Sequence, residues 1–101
     1  MAKATVVYWR DIPAQVIVKA GRKNAKRVLP ERFEKAIDQA AMLAKLSGTD
    51  AYLEQWRRGD AVDCGDDLEA EAERMAAEID NTYPDDVLSA YIKAGGMTPE
   101  S

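Results

Sequence analysis

The sequence predicts an α+β fold in which an N-terminal antiparallel β-hairpin, at about residues 4–20, packs against about four α-helices. Three observations lead there. Residues 4–10 (ATVVYWR) and 14–19 (AQVIVK) are rich in β-branched and aromatic side chains, which suit a pleated, half-buried surface. From Pro30 onward the apolar residues recur at helical spacing instead. Prolines, glycines and capping residues then divide that region into helices at about 30–46, 49–58, 66–82 and 85–94. A chain of 101 residues with 47% apolar composition is expected to form a single compact domain over 1–101 with a modest core.

In the hairpin, Pro13 fixes its own φ and disfavours helix at Ile12, so a turn belongs between the two strands. Val7 and Trp9 share one face, and Val6, Tyr8 and Arg10 the other. Val16 and Val18 oppose Gln15, Ile17 and Lys19 in the same way. Neither strand alternates cleanly, so the sheet is either partly covered on both sides or keeps one face for an interaction. Two strands alone are marginal in water and need helices against them. Residues 60–63 are a weak candidate for one strand more. Residues 21–27 (GRKNAKR) read as a basic connector, with Arg22, Lys23, Lys26 and Arg27 close together. In a helix these would repel at i,i+4. The segment is therefore an open turn or an anion site for a phosphate, a nucleotide tail or an acidic partner; the plain alternative is a solvated loop facing acidic helices.

Pro30 suits a first helical position, and Phe33, Ile37, Ala40 and Ala44 form a stripe widened by Ala36, Ala41 and Leu43. Gly48 can supply the left-handed residue that ends this helix, and Thr49 can cap the next. Leu53 and Trp56 give the second helix an apolar side, and Gly59 closes it. Asp60, Asp63, Asp66 and Asp67 then crowd one loop, but their spacing does not fit a calcium loop. Asp66 serves better as a helix cap, with Glu69 as a variant capping-box acceptor. Leu68, Ala72, Met75 and Ile79 make the seam of the third helix, opposite Glu71, Glu73, Glu78 and Asp80. Tyr83-Pro84 stops it. Asp85 or Asp86 caps a last helix with Val87, Leu88, Tyr91 and Ile92 inward, Gly95-Gly96 ends it, and residues 97–101 read as a frayed tail.

The composition excludes several chemistries. There is no histidine, so a Ser-His-Asp or Cys-His catalytic arrangement cannot be built. Cys64 is the one cysteine, too few for a disulfide, a structural zinc site or an iron–sulfur cluster. A catalytic Cys64 is disfavoured by its acidic neighbours and the lack of a base nearby in sequence. No catalytic residue, metal or cofactor is therefore assigned. The chain shows no signal-peptide pattern and no long apolar run, so a cytoplasmic protein without a membrane span is expected. The net charge of −4 hides a division: residues 1–58 carry 12 Lys+Arg against 6 Asp+Glu, and residues 59–101 carry 2 against 12. That asymmetry means two surfaces of opposite sign or a pairing of the halves. Nucleic acid is not expected as a partner, because the aromatics are not interleaved with the basic residues and the isoelectric point is acidic.

The run VYWRDIPAQVIVKAGRKNAKRVLPERFEKAIDQAAMLAKLSGTDAYLEQWRRG, the later GDDLEAEAERMAAEID and the closing YIKAGG resemble a small bacterial family labelled "virulence factor". The resemblance carries no catalytic motif. It implies kinship with a module at the end of larger virulence-factor proteins that also hold an iron–sulfur-scaffold-like (NifU N-terminal-like) portion and helical repeats. Small members encoded near corrinoid- and folate-dependent methyl-transfer proteins imply an accessory role in one-carbon metabolism. The expectation is a non-catalytic module that binds a protein partner through Tyr8, Trp9 and Arg10, the basic group Arg22, Lys23, Lys26 and Arg27, and Arg57 and Arg58. The rival is a small enzyme or binder that clamps a folate-like or phosphate-bearing ligand, with Asp11, Asp63, Asp66 and Asp67 as its acids and Arg10 or Arg57 beside them. A homodimer that buries the free hairpin edge is a third expectation.

Overall fold

The computed structural model describes residues 2–99. β1 (Ala2–Trp9) and β2 (Ile12–Ala20) pair antiparallel through a two-residue turn, Arg10-Asp11. Arg10 sits at φ +53° in that turn, a conformation uncommon for a residue with a side chain. The register slips at Ala14, an extra residue in β2 that leaves both Ile12 and Pro13 buried. A second tight turn, Gly21-Arg22, leads into β3 (Lys23–Val28), which pairs with β2. Gly21 takes φ +61° there, where glycine has no steric penalty.

After β3 come α1 (Glu31–Leu43), the short α2 (Asp50–Glu54), β4 (Trp56–Arg58), β5 (Val62–Cys64), α3 (Leu68–Thr82) and α4 (Asp85–Lys93). β4 and β5 lie end to end along the free edge of β1, so the sheet runs β3-β2-β1 with β4 and β5 outermost. The register changes by one residue between them. Gly59 keeps the link there by donating to the Val6 carbonyl at 2.8 Å. Its neighbour is the Tyr8 ring, only 2.9 Å from where a Cβ would stand.

The α+β class is as expected, while the sheet is larger and the helices are shorter. The basic stretch after Gly21 is a strand, because it gains ladder bonds to the edge of β2 and its Ala25, opposite Val18, takes a buried inward position. The second helix ends at Glu54 rather than running to residue 58, since Trp56, Arg57 and Arg58 gain ladder bonds to β1. Leu53 points outward, and Tyr52 provides the contact with the core. The first helix turns at Lys45, with φ +61°, not at Gly48. Thr49 caps α2 by accepting from the Tyr52 N–H. Asp67, one residue later than expected, caps α3 by accepting from the Ala70 N–H at 3.2 Å. Pro84 holds the cap position of α4, so neither Asp85 nor Asp86 caps it. Thr98 of the expected frayed tail is tied to the hairpin through Asp11, and residues 100–101 of that tail lie outside the described residues.

Two apolar clusters hold these layers together. Trp9, Ile12, Leu29, Phe33, Ile37 and Leu88 gather at the Arg10-Asp11 end of the sheet, under α1 and α4. Ala2, Ala4, Val16, Val18, Ala25 and Ala72 join the middle of the sheet to α3. Four alanines in that second group let α3 lie close on the strands. Each valine contributes roughly 1.5–3 kcal/mol of burial. Ala76 and Ile79 of α3 pack against both clusters, so that helix ties them into one core.

Candidate functional site

Helix α3 covers one face of the sheet, and the other is buried under α1 at Trp9 and Ile12 but open along Lys3, Thr5 and Lys19. Pairing sets that open face in rows across the strands. Asp63, Lys3, Lys19 and Asn24 form one row. Thr5, Ile17 and Lys26 form the next, followed by Arg58, Val7, Gln15 and Val28. Lys3, Lys19, Lys26 and Arg58 are exposed, and Thr5, Val7 and Ile17 are half-buried between them. A pocket of about 300 Å³ opens here, lined by Lys3, Thr5, Ile17, Lys19, Arg58 and Ala61. Lys3 bonds Asp63 at 2.9 Å and holds that carboxyl below its usual range. Lys19, Lys26 and Arg58 make no ion pair among the described residues. Lys3, Lys19, Arg58 and the Thr5 hydroxyl therefore line one concavity, with Asp63 beside it paired to Lys3.

The expected contact residues divide. Lys26 and Arg58 lie on this open face. Arg22 and Lys23 are exposed at the turn that ends the β2–β3 hairpin. Arg27 lies on the covered face and pairs with Glu69 of α3 at 2.7 Å. Trp9 is fully buried and offers nothing to a partner; its indole N–H donates to the Tyr52 carbonyl at 2.9 Å. Tyr8 is half-buried under the Arg57 guanidinium, 4.6 Å from its ring centroid. Arg10 donates to Gln55 Oε1 and to the Gly95 carbonyl, and Arg57 donates to the Arg10 carbonyl and to Asp11. These two arginines serve the turn itself.

The candidate acids do not converge. Asp11 accepts from Arg57 at 3.0 Å and from the backbone N–H and hydroxyl of Thr98 at 2.7 and 2.9 Å. Burial would raise its pKa, but the bonds from Thr98 and Arg57 outweigh it and hold the carboxyl below the usual range. Asp63 pairs with Lys3, Asp67 caps α3, and Asp66 is exposed beside it. Among the described residues, no group of three or more His, Cys, Asp or Glu is placed to hold a metal ion.

A sequence model of the family described as "Virulence factor" matches residues 7–92. The chain belongs to the Virulence factor family. No curated protein and no solved structure matches it. The stretch shared with the Virulence factor family opens inside β1 and closes inside α4. It includes Lys19, Lys26 and Arg58 of the open face but not Lys3, nor Thr98 of the turn.

Lys3 and Lys19 are the site residues that sequence reasoning missed in this Virulence factor family member. Their alternation with Thr5 and Ile17 is visible in the strands, yet only the cross-strand register sets them side by side. Cys64 ends β5, half-buried beside Ala2. Burial and then the Glu71 carboxylate push its thiol up, away from the thiolate that nucleophilic chemistry needs. No helix among the described residues is long and apolar enough to cross a membrane.

Proposed function

We propose that this protein is a non-catalytic docking module of the Virulence factor family whose open sheet face receives an acidic segment of a partner protein. The observation that carries the reading is the convergence of Lys3, Lys19 and Arg58 around Thr5 and Ile17 in one exposed pocket, with Lys26 alongside. Cations next to half-buried apolar positions suit a carboxylate flanked by aliphatic side chains better than a bare polyanion. The acidic outer face of α3, with Glu69, Glu73 and Glu78 exposed, steers such a partner to the other side of the molecule. Assistance to corrinoid- or folate-dependent one-carbon metabolism, in the cytoplasm, is the setting proposed for it.

The same pocket favours a second reading, a folate-like or phosphate-bearing small ligand, because three cations and one hydroxyl can grip a single anionic group. Affinity capture from the native cells separates the two, using wild type, Lys19→Glu/Arg58→Glu and a Glu73→Lys control. One protein held by wild type and by the control, lost in the double variant and weakened by salt, is the expected result. A methyl-transfer protein among the captured species would place the module in one-carbon metabolism. A partner that ignores the double substitution overturns the docking face. If wild type holds no partner but its melting temperature rises with folates or inorganic phosphate, the small-ligand reading replaces it.

A further inference from the structure

A second concavity lies where α1 meets the far end of the open face. This cleft of about 340 Å³ is half open and is lined by Ala14, Val28, Leu29, Ile37, Tyr52 and Trp56, with Gln15, Glu34 and Asp38 on its rim. Tyr52 and Trp56 stand edge to face, with ring centroids 6.3 Å apart and planes at 86°, so they form two walls of a corner. Tyr52 is backed by Trp9, with centroids at 5.5 Å, which fixes the corner to the core. Glu34 and Asp38 fall one turn apart on α1, and both are exposed. Neither makes an ion pair among the described residues, so their like charges repel across that turn. Burial, and after it the Asp38 and Glu34 carboxylates, push the Tyr52 hydroxyl up, which puts both charges within reach of the aromatic corner.

An aromatic corner with two free carboxylates is the chemistry that recognises an organic cation on an apolar stem. A guanidinium fits best. Its plane stacks on an indole, and its fork can bond two carboxylates at once. The mouth is apolar as well: Val28 is 72% exposed and Trp56 38% exposed. A free cation would leave that rim wet, whereas a polypeptide would cover it with the residues on either side of its arginine.

We propose that this cleft receives an arginine side chain presented by a partner polypeptide, seated in the corner of Tyr52 and Trp56 with its plane on the Trp56 indole and paired with Glu34 and Asp38. The site takes a cation where the sheet pocket takes an anion, so it stands or falls apart from the docking reading above. The test is calorimetric titration, with tryptophan emission as second readout, using acetyl-Leu-Arg-Leu-amide, its citrulline counterpart and agmatine. Wild type should bind the arginine peptide at least about tenfold more tightly than the citrulline peptide or agmatine. Glu34→Gln/Asp38→Asn should lose about the same factor with its melting temperature unchanged or raised. Trp56→Ala should weaken binding and remove most of the emission change, since Trp9 is shielded from solvent. Equal binding of the arginine and citrulline peptides, or none by a folded protein, overturns the proposal. Agmatine binding as tightly as the peptide would make this a small-molecule site instead. Self-association of the protein that disappears in Glu34→Gln/Asp38→Asn would assign the cleft to a second copy, and overturn the proposal too.

Discussion

Asp11 receives three hydrogen bonds from residues remote in sequence, one from Arg57 and two from Thr98. Arg10 holds an unfavourable positive φ, and its side chain reaches both Gln55 and Gly95. The turn is therefore fastened from outside by β4 and by the segment after α4. Replacing Asp11 with alanine leaves Arg57 and Thr98 without their acceptor and should cost about 1–2 kcal/mol in urea unfolding near neutral pH. A depressed carboxylate pKa stabilises the fold above the unfolded value and loses that contribution as pH falls through the folded one. The gap between wild type and Asp11→Ala should accordingly narrow below about pH 4. None of this was legible at the residue level. The pairing of Asp11 with Thr98 spans nearly the whole chain, and no local pattern announces it. What was legible was that a turn precedes Ala14, but not its exact place: Ile12 and Pro13 join β2, and the turn is Arg10-Asp11 instead of residues 11–13.

Short elements were read less well than long ones, for a physical reason. The seam Leu68, Ala72, Met75 and Ile79 repeats over about three turns, and all four residues do pack against the sheet in α3. Residues 49–58 hold too few turns for a period to show, and tertiary pairing decided them. Thr49 starts a helix, but the free edge of β1 captures Trp56, Arg57 and Arg58 as a strand. The same edge takes Val62–Cys64 after a bulge, so one edge of β1 is covered by two pieces of chain, and the short weak candidate at 60–63 is in part a strand. The N-terminal caps were found to within one residue, while the left-handed residue that ends α1 is Lys45, three before the expected Gly48. Asp67→Ala should lower stability by about 1 kcal/mol, while Asp66→Ala, which removes no capping bond, should leave the thermal midpoint nearly unmoved.

Across the whole molecule, the opposed charge of the two halves is partly spent on holding them together. Lys3–Asp63, Arg27–Glu69 and the contacts of Arg32 with Asp80 and Asp85 all join the basic half to the acidic one. Arg32 also donates to the Asp80 carbonyl, and its guanidinium lies 4.5 Å from the Phe33 ring centroid, so it clamps α1 to the α3–α4 corner. Arg32→Ala should cost about 1–2 kcal/mol, whereas Lys19→Ser and Lys26→Ser should each stay within about 0.5 kcal/mol, by thermal or urea unfolding. That contrast separates the cations that serve the fold from those left over. The charge count predicted a surplus, but not its place, because place depends on which face α3 covers.

The packing of Gly96 has a consequence for how the chain is made. A Cβ at Gly96 would stand 2.6 Å from Trp9 Cζ3, so backbone synthesised long after Trp9 lies directly on its indole. During translation the first hairpin emerges with that indole uncovered, and its turn has neither Gly95 nor Thr98 to hold it. The nascent chain must wait for residues 95–98 before the Trp9 side chain is sealed. Until then it is an exposed, sticky intermediate of the kind that chaperones meet at the ribosome.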